Sequence, residues 1–437
     1  MAELLDGVIR PYAWGSRSVL AELQGRPVPS AGPEAELWLG AHPGDPSTVR
    51  GPQGPVSLAE LIAQDPRRVL GPTVTAAFGA RLPYLMKVLA AAAPLSLQAH
   101  PDAEHARAAY AAERAAGVTG GNYVDEFHKP ELLVAVTPFE ALCGFRAPDV
   151  SAAVFEAFDL PELAPVVASL RSGVAGLRDA VRTLLTWPEQ HRPALVEAVV
   201  AAAGKADPGA VGPGAVGPGA VDPGDPYAAG CDLVTRLAEF YPGDPGVLVA
   251  LLLNLVRLQP GEAIWMPAGN LHAYLFGAGV EIMAASDNVL RGGLTPKRVD
   301  VDELLRVLRF EVLDDPVVRP RPVAAGVVTW STPVREFALY RVTLDAGATA
   351  AGVTLDAGAT DAGVNRVTLA AGGPRVVLCR TGSVAVDDGA ATVRLPAGQA
   401  AFAAAAGGPL VLSGSGEAYV ATVGAGLATN REVSVLA

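Results

Sequence analysis

Residues 95–102 read LSLQAHPD, a mostly apolar stretch that contains one of the six histidines of the chain. Their alternation of apolar and polar residues predicts a β-strand, in which successive side chains point to opposite faces. Gln98 and His100 therefore project from one face. Their neighbours Leu97 and Ala99 project from the other. An amide oxygen and an imidazole nitrogen on one face can bind a metal ion, although such a pair also fits the polar lining of a wet cleft.

Two distant stretches provide further candidate ligands. In DEFHKPELLVAV, residues 125–136, His128 precedes a strand and Glu131 begins it. In QPGEAIWMPAGNLHAY, residues 259–274, turns bracket a short strand before His272. The residues alone leave His128 and Glu131 open as the third ligand. Taken by itself, His272 also fits a hydrogen-bonded histidine at the rim of a barrel.

The composition indicates a soluble globular protein of two or three domains, because 437 residues exceed one ordinary core. The net charge of −12 disfavours nucleic acid as a partner, since phosphate backbones are bound by basic surfaces. We expect no membrane partner either. The longest nearly apolar run, residues 247–256, is interrupted by Asn254 and is too short to cross a bilayer.

The cysteines and the N-terminus predict a cytoplasmic protein. Cys143, Cys231 and Cys379 lie far apart without metal-binding spacing, so we expect them to be packed thiols in a reducing compartment. The first ten residues, MAELLDGVIR, contain acids where a signal peptide has basic residues.

The pattern along the chain predicts a mainly β protein with a helical insertion. Strand-like runs between Gly and Pro turns give way to helical spacing and then return. The predicted divisions are a catalytic domain in two parts, a helical insertion between those parts, and a C-terminal β-barrel: residues 1–148 and 259–321, residues 149–258, and residues 322–437.

Several local features are predicted within these divisions. Helices are predicted at residues 102–116, 231–241 and 247–258. Residues 204–226 repeat Pro, Gly, Ala and Val and predict a flexible surface loop. The stretch VTLDAGAT occurs at residues 342–349 and again at 353–360, which indicates a lengthened loop or hairpin. Residues 117–127, GVTGGNYVDEF, form either a lid or a plain loop.

Four segments resemble the signature segments of the type I phosphomannose isomerases, a zinc-dependent family of the cupin superfamily: LSLQAHPD, HKPEL, WMPAGNLHAY and EIMAASDNVLRGGLTPK. YAWGS at residues 12–16 and AELWLGAHP at residues 35–43 also fit the N-terminal segments of that family. The resemblance extends from Tyr12 to about Asp300 and is weaker beyond. It implies a cupin-type fold of two β-barrel lobes with an α-helical domain.

The resemblance also implies the metal ligands. In that family zinc is held by a glutamine, two histidines and a glutamate, which fall on Gln98, His100, Glu131 and His272. The resemblance thus favours Glu131 over His128 and implies one zinc ion per chain. Nitrogen and oxygen ligands with one carboxylate suit zinc but would also accept cobalt or manganese.

The family's activity implies catalytic roles for three further residues. Its members interconvert an aldose and a ketose through a cis-enediol, so a proton moves between neighbouring carbons and negative charge builds on an oxygen. Similarity implies that Lys129 and Glu281 transfer the proton or orient the substrate, and that Arg291 stabilises the enediolate. An alternative for Arg291 is an ion pair with Asp287.

A phosphate-bearing substrate requires a local cationic pocket, and similarity to the family points to Ser96, Lys87 and Lys297. Strand alternation independently directs Ser96 towards the face that carries Gln98. A turn at residues 93–94 must separate Lys87 from that strand.

The leading hypothesis is a monomeric isomerase of mannose 6-phosphate and fructose 6-phosphate, with a small sugar phosphate as its partner. One alternative is a cupin isomerase of another sugar phosphate. Another is a sugar-binding cupin without catalysis, which the presence of Lys129, Glu281 and Arg291 argues against.

Other polar and aromatic residues have simpler interpretations. We expect His42 to be structural, His128 to orient Glu131 or the substrate, and the histidines of the two helical regions to be exposed, namely His105 and His191. Trp14 and Trp38 are predicted to be core aromatics.

Overall fold

The computed structural model describes residues 1–52, 54–206, 225–347, 365–370 and 372–424. The mainly β class with a helical region is confirmed. Within the described residues the strands are β1 Ala2–Asp6, β2 Val8–Arg10, β3 Glu36–Gly40, β4 Thr48–Gly51, β5 Gly54–Ser57, β6 Tyr84–Ala91, β7 Gln98–Ala99, β8 Glu131–Ala135, β9 Phe139–Phe145, β10 Leu253–Leu258, β11 Ala263–Met266, β12 His272–Ala284, β13 Leu290–Arg291, β14 Val317–Val318, β15 Arg321–Ala324, β16 Val327–Thr329, β17 Ala338–Leu344, β18 Arg366–Leu369, β19 Arg375–Asp387, β20 Thr392–Pro396, β21 Ala400–Ala403 and β22 Leu410–Thr422.

Most of the helical residues lie between β9 and β10. The α-helices are α1 Val19–Leu23, α2 Leu58–Gln64, α3 Pro66–Leu70, α4 Pro72–Phe78, α5 Ala103–Ala115, α6 Pro148–Ala157, α7 Ala164–Arg171, α8 Leu177–Leu185, α9 Arg192–Ala206, α10 Pro226–Phe240, α11 Gly246–Val249 and α12 Val301–Val307. Short 3-10 helices occur at Pro161–Leu163, Gly173–Gly176, Glu189–His191 and Ala250–Leu252. None of the described helices is long and apolar enough to cross a bilayer.

The first sheet is organised around β12, which pairs with β6, β7, β8 and β9. The register shifts between Tyr274 and Phe276, so the first half of β12 pairs with β7 and β9 and the second half with β6 and β8. Gly277 follows the shift with φ +109, and a Cβ there would lie 2.5 Å from the Pro138 carbonyl oxygen. Only glycine fits this bend, because it combines left-handed backbone with close approach of another chain segment.

The second sheet combines strands from both ends of the chain. Its order is β15-β16-β17-β22-β19-β21-β1-β4-β5, with β18 paired to β22 and β20 paired to β19. The sheet therefore includes β1, β4 and β5 from the N-terminal division as well as the C-terminal strands. The divisions predicted from the sequence remain a proposal, and sheet membership does not follow their linear order. Within the described residues, the strand pairings of each sheet form an open, branched path.

The two sheets share one apolar core, which contains Met86 and Ile282 from the first sheet and Trp330 and Phe402 from the side of the second. Buried hydrogen bonds join the sheets as well. The Tyr84 hydroxyl donates to the Pro374 carbonyl at 3.0 Å, and Trp330 Nε1 donates to the Gly261 carbonyl at 3.0 Å. These bonds satisfy polar groups that burial would otherwise make costly.

The helices from α6 to α11 cover the other side of the first sheet and form a second core with it. The predicted helices at 102–116 and 231–241 correspond to α5 and α10. The prediction of one helix over 247–258 is wrong, because helical structure ends at Leu252 and β10 follows. Residues 253–258 read LNLVRL, and their edge pairs with β9, so sheet pairing outweighs the local helical pattern.

The two low-complexity predictions fall mostly outside the described residues. Of residues 204–226, the first three belong to α9 and Pro226 begins α10, while residues 207–224 lie outside the described ranges. The second VTLDAGAT copy lies wholly outside them.

Candidate metal centre and active site

The central strand of the site is β7, which lies between β12 and β13. Gln98 is directly opposite His272 on one side and Arg291 on the other. Residues directly opposite in a sheet present their side chains on the same face. The register therefore places an amide, an imidazole and a guanidinium in one row. On the other face Leu97 and Ala99 are fully buried in the core beneath the helices, which agrees with the predicted alternation.

Three potential ligands converge beside this row. The nitrogen and oxygen atoms that His100, Glu131 and His272 offer all lie within 4.8 Å of one another, and all three residues are buried. His100 Nε2 lies 3.4 Å from Glu131 Oε1, and His272 Nε2 lies 3.3 Å from Glu131 Oε2. The Glu131 carboxylate thus faces His100 with one oxygen and His272 with the other.

Backbone carbonyls orient both imidazoles. His100 Nδ1 lies 2.8 Å from the Asn288 carbonyl oxygen, and His272 Nδ1 lies 3.0 Å from that of Asn270. A carbonyl oxygen only accepts hydrogen bonds, so each Nδ1 carries a proton and each ring points its Nε2 at Glu131. Where such an Nε2 bears a lone pair, it repels the facing carboxylate unless a cation lies between them. The donor set therefore fits a divalent metal ion of the zinc type.

The protonation states agree with this fit. Burial lowers the pKa of His100 to about 4, which favours the neutral imidazole that binds metals. Its Nε2 is buried and has no hydrogen-bond partner among the described residues. Burial alone would raise the pKa of Glu131, but the positive charge of Lys129 beside it holds that pKa well below its usual range. Glu131 is therefore a carboxylate.

Gln98 and Ser96 lie next to this group. Gln98 Nε2 donates to Ser96 Oγ at 3.3 Å, which directs the two side chains to the same place, as strand alternation predicted. With its amide nitrogen engaged, Gln98 keeps its Oε1 for another partner.

Glu281 is held by two buried neighbours. Its Oε1 accepts from the Tyr274 hydroxyl at 2.7 Å, and its Oε2 lies 3.1 Å from Lys87 Nζ. Lys87 Nζ also lies 3.5 Å from Glu36 Oε1, and Trp38 Nε1 donates to Glu36 Oε2 at 2.7 Å. Burial raises the pKa of Glu281, and although Lys87 opposes this, the net shift is upward. A carboxyl group of raised pKa suits proton exchange near neutral pH.

The two remaining candidates for catalysis have different surroundings. Lys129 is buried, with its Nζ 3.0 Å from Glu131 Oε1. Arg291 is partly buried, and burial lowers its pKa. The ion pair considered for Arg291 is not found among the described residues: Asp287 Oδ2 instead lies 3.3 Å from His42 Nε2. Within the described residues, no carboxylate forms an ion pair with the Arg291 guanidinium beside Gln98.

Other candidates lie apart from this group. His128 Nε2 contacts Glu336 Oε1 at 2.8 Å, so its partner is in the C-terminal part and is not Glu131. Lys297 is exposed in the segment after β13. His191 is exposed as predicted, but the prediction for His105 is wrong, because its ring is half-buried and bonds Glu303 at 2.7 Å. His42 is buried in a turn beside Trp38.

Sequence reasoning missed four residues around the site: Glu36, Asp125, Tyr274 and Asn288. Alternation could have revealed two of them. Glu36 is the one acid in the apolar strand ELWLG, and Tyr274 follows His272 by two residues. Asp125 and Asn288 lie in loops, where such residues are common for local reasons, so the pattern contains no comparable signal.

Comparison with known proteins agrees with the geometry. A family model described as the phosphomannose isomerase type I catalytic domain matches residues 3–148. The mannose-6-phosphate isomerase of Escherichia coli (strain K12) is 36% identical over 422 residues, covering 95% of this chain and 98% of the relative. Mannose-6-phosphate isomerase 1 of Arabidopsis thaliana is 32% identical, covering 72% of this chain and 71% of the relative.

Solved structures are similar over nearly the whole chain. A single-residue variant of phosphomannose isomerase from Salmonella typhimurium has a TM-score of 0.79 at 30% identity, covering 97% of this chain and 99% of that one. A zinc-bound mannose 6-phosphate isomerase has a TM-score of 0.78 at 30% identity, with the same coverage of 97% and 99%. The chain therefore belongs to the type I phosphomannose isomerase family.

Proposed function

We propose that this protein is a metal-dependent aldose-ketose isomerase that interconverts D-mannose 6-phosphate and D-fructose 6-phosphate. The observation that supports this most directly is the convergence of His100, Glu131 and His272 beside Gln98 and Arg291. Relatives that span almost the whole chain are named mannose-6-phosphate isomerases.

In this proposal Gln98, His100, Glu131 and His272 hold one zinc ion. Three of these side chains face one another in a buried group, and Gln98 lies directly opposite His272. When bound, the ion supplies positive charge that stabilises the developing oxyanion of the substrate by several kcal/mol, about the magnitude typical of Lewis-acid catalysis.

The reaction moves two protons. Conversion of the aldose removes a proton from C2 and delivers one to C1, while the C2 hydroxyl loses a proton and the C1 carbonyl oxygen gains one. Glu281 is our candidate for exchanging the carbon-bound proton, because its pKa is raised and its carboxylate is held in place by Tyr274 and Lys87. Such positioned acid-base groups typically contribute about 10²–10⁴-fold in rate.

Lys129 and Arg291 act on the oxygen atoms of the substrate in this proposal. Lys129 is buried beside Glu131 and can orient or protonate an oxygen that approaches the ligand group. Arg291 lies in the same row as Gln98 and has no ion pair among the described residues, so its charge is available to an enediolate.

For the phosphate we propose Ser96, Lys87 and Lys297. Ser96 hydrogen-bonds Gln98, and Lys297 is exposed in the segment that follows Arg291. Lys87 has a second role that its contacts favour: it neutralises Glu281 and Glu36 within the buried sheet face.

We further propose that the chain works as a cytoplasmic monomer with a small sugar phosphate as its substrate. The three cysteines are buried free thiols, as suits a reducing compartment.

The test is a coupled assay of fructose 6-phosphate formation on protein stripped of metal by EDTA and then reloaded with Zn²⁺. We expect activity to vanish on stripping and to return on reloading. Glucose 6-phosphate and galactose 6-phosphate are compared with mannose 6-phosphate at equal concentrations. Full activity in metal-free protein would overturn the proposal, and a preference for another sugar phosphate would replace the substrate.

A further inference from the structure

Asn288 connects the site to a neighbouring segment of the chain. It is fully buried between β12 and β13, and every polar group of its side chain is used. Its Nδ2 donates to the carbonyls of Asp125 at 2.8 Å and Phe127 at 2.9 Å, and to Asp125 Oδ1 at 3.1 Å. Its Oδ1 accepts from the amides of Val124 at 2.9 Å and Asp125 at 3.4 Å. The amide thus fixes residues 124–127, which lead directly to Lys129 and Glu131.

The backbone of the same residue acts on His100. The Asn288 carbonyl accepts from His100 Nδ1 at 2.8 Å, which fixes the tautomer and points Nε2 at Glu131. The Asn288 amide donates to Ser286 Oγ at 3.2 Å, and Ser286 Oγ donates in turn to Asp125 Oδ1 at 2.8 Å. The direction of this carbonyl therefore depends on the bonds that the side chain and Ser286 make to residues 124–127.

We propose that Asn288 is a positioning residue for the metal site: its side-chain amide sets the orientation of His100 and the placement of Glu131, although it touches no metal itself. This inference rests on the proposed function, because it takes His100 and Glu131 as metal ligands. Loss of residues that orient metal ligands typically weakens metal binding about 10–100-fold.

The chemistry of the position requires an amide. An aspartate has the same shape but offers no donor, so it would set acceptors against Asp125 Oδ1 and two carbonyl oxygens. An alanine would delete the same bonds without adding charge and would leave part-buried backbone groups of residues 124–127 without these partners. Both changes leave His100, Glu131 and the other ligands in the sequence.

The experiment measures the Zn²⁺ dissociation constant by competition with a chromophoric chelator for the wild type and for Asn288→Asp. Asn254→Asp is the matched control, because Asn254 Nδ2 also donates to backbone carbonyls, those of Leu313 at 2.8 Å and Cys143 at 3.2 Å. Thermal unfolding of the metal-free proteins measures the loss of stability separately. We expect Asn288→Asp to raise the dissociation constant about 10–100-fold and Asn254→Asp to leave it within about threefold of the wild type, even where both lower the melting temperature.

The outcomes separate this inference from the proposed function. A wild type that binds Zn²⁺ and isomerises mannose 6-phosphate, together with an Asn288→Asp protein of unchanged Zn²⁺ affinity, would overturn the positioning role alone. A wild type without Zn²⁺ binding or activity would overturn the proposed function. Where Asn288→Asp does not fold, Asn288→Ala and Ser286→Ala test the same bonds, and Zn²⁺ affinities no weaker than that of Asn254→Asp would count against the inference.

Discussion

At the scale of single residues, the site is an alternating set of buried charges. Glu36, Lys87 and Glu281 form one chain of contacts, and Lys129 with Glu131 forms another. Each buried charge has an opposite partner, as burial in a low-dielectric interior requires. Because little solvent screens these groups, removing one hydrogen bond alters the electrostatic interactions of the neighbouring charges more than it would at the surface.

Tyr274→Phe tests the hydrogen bond to Glu281. The substitution keeps the ring and deletes only the hydroxyl that donates to Glu281 Oε1. We expect kcat to fall by about 10–100-fold, part of the effect of a positioned acid-base group, with the zinc content unchanged. Tyr84→Phe is the control, because the Tyr84 hydroxyl is equally buried but bonds only carbonyls at the interface of the two sheets. It should lower the melting temperature and leave kcat unaltered. A Tyr274→Phe enzyme with wild-type kcat would remove the proposed support of Glu281.

Arg291→Ala separates metal binding from turnover. The guanidinium has no ion pair among the described residues, so its loss leaves no carboxylate unpaired there. We expect zinc to be retained and kcat to fall by about 10²–10³-fold, as for removal of an oxyanion-stabilising donor. Gln98→Ala and Glu131→Ala should instead lose zinc. Metal analysis beside the coupled assay distinguishes the two classes, and an Arg291→Ala protein of undiminished activity would contradict the role assigned to it.

At the scale of elements, the segment between α5 and β8 is fixed to α12 at its middle. Asn122 Nδ2 donates to Asp300 Oδ2 at 3.1 Å, and the Tyr123 hydroxyl donates to Glu303 Oε1 at 2.6 Å. Its later part is held by Asn288. Of the two alternatives for this stretch, a lid or a plain loop, these contacts favour an anchored loop.

Glu303→Gln tests this anchor through its pH dependence. Burial raises the pKa of Glu303, but hydrogen bonds from Tyr123, His105 and Arg306 outweigh burial and hold the pKa below its ordinary value of 4.5. A carboxylate with a lowered folded-state pKa stabilises the fold above pH 4.5, and this contribution is lost as the pH falls through the folded-state value. We expect Glu303→Gln to cost about 1–2 kcal/mol at pH 7, with the difference shrinking in acid. Chemical denaturation at several pH values measures the difference in the free energy of unfolding between wild type and variant. A difference that grows in acid would refute the explanation that hydrogen bonds to the ionised Glu303 stabilise the fold.

At the scale of the whole molecule, the loop that joins β16 and β17 of the second sheet contacts the segment that leads to the ligands. His128 Nε2 lies 2.8 Å from Oε1 of Glu336, which precedes β17. The C-terminal part thus helps to hold the residue next to Lys129. The sequence of the C-terminal part did not predict this contribution, because it contains no histidine from residue 322 onward and so offers no obvious site residue.

Glu336→Gln tests that contribution. Loss of the charged contact to His128 should loosen the segment that precedes Lys129, and we expect kcat/KM to fall about 3–10-fold, equivalent to roughly one charge-assisted hydrogen bond. Glu156→Gln, which removes an exposed pair with Arg171, serves as the control and should leave kcat/KM unchanged. Steady-state kinetics at saturating zinc measures both variants, and equal kcat/KM values would show that the contact between Glu336 and His128 does not act on the site.

The sequence predicted what depends on local periodicity and missed what depends on distant pairing. The common face of Gln98 and Ser96 follows from alternation alone. The choice between His128 and Glu131 needed the family resemblance, because it depends on pairing of Glu131 with Met266 and Met283, more than 130 residues away. For the same reason no local pattern places β1 in the second sheet. The error at residues 247–258 arose where a neighbouring strand supplied hydrogen bonds to a stretch with helical spacing.

The position of β1 has a consequence for synthesis on the ribosome. Ala2 pairs with Ala403, so β1 leaves the exit tunnel long before the strand that it pairs with at this edge. At about 5–20 residues per second the delay is roughly 20–80 s. Throughout that time the edge of β1 that later pairs with β21 has no partner strand. Premature termination before β21 would leave that edge permanently open to aggregation.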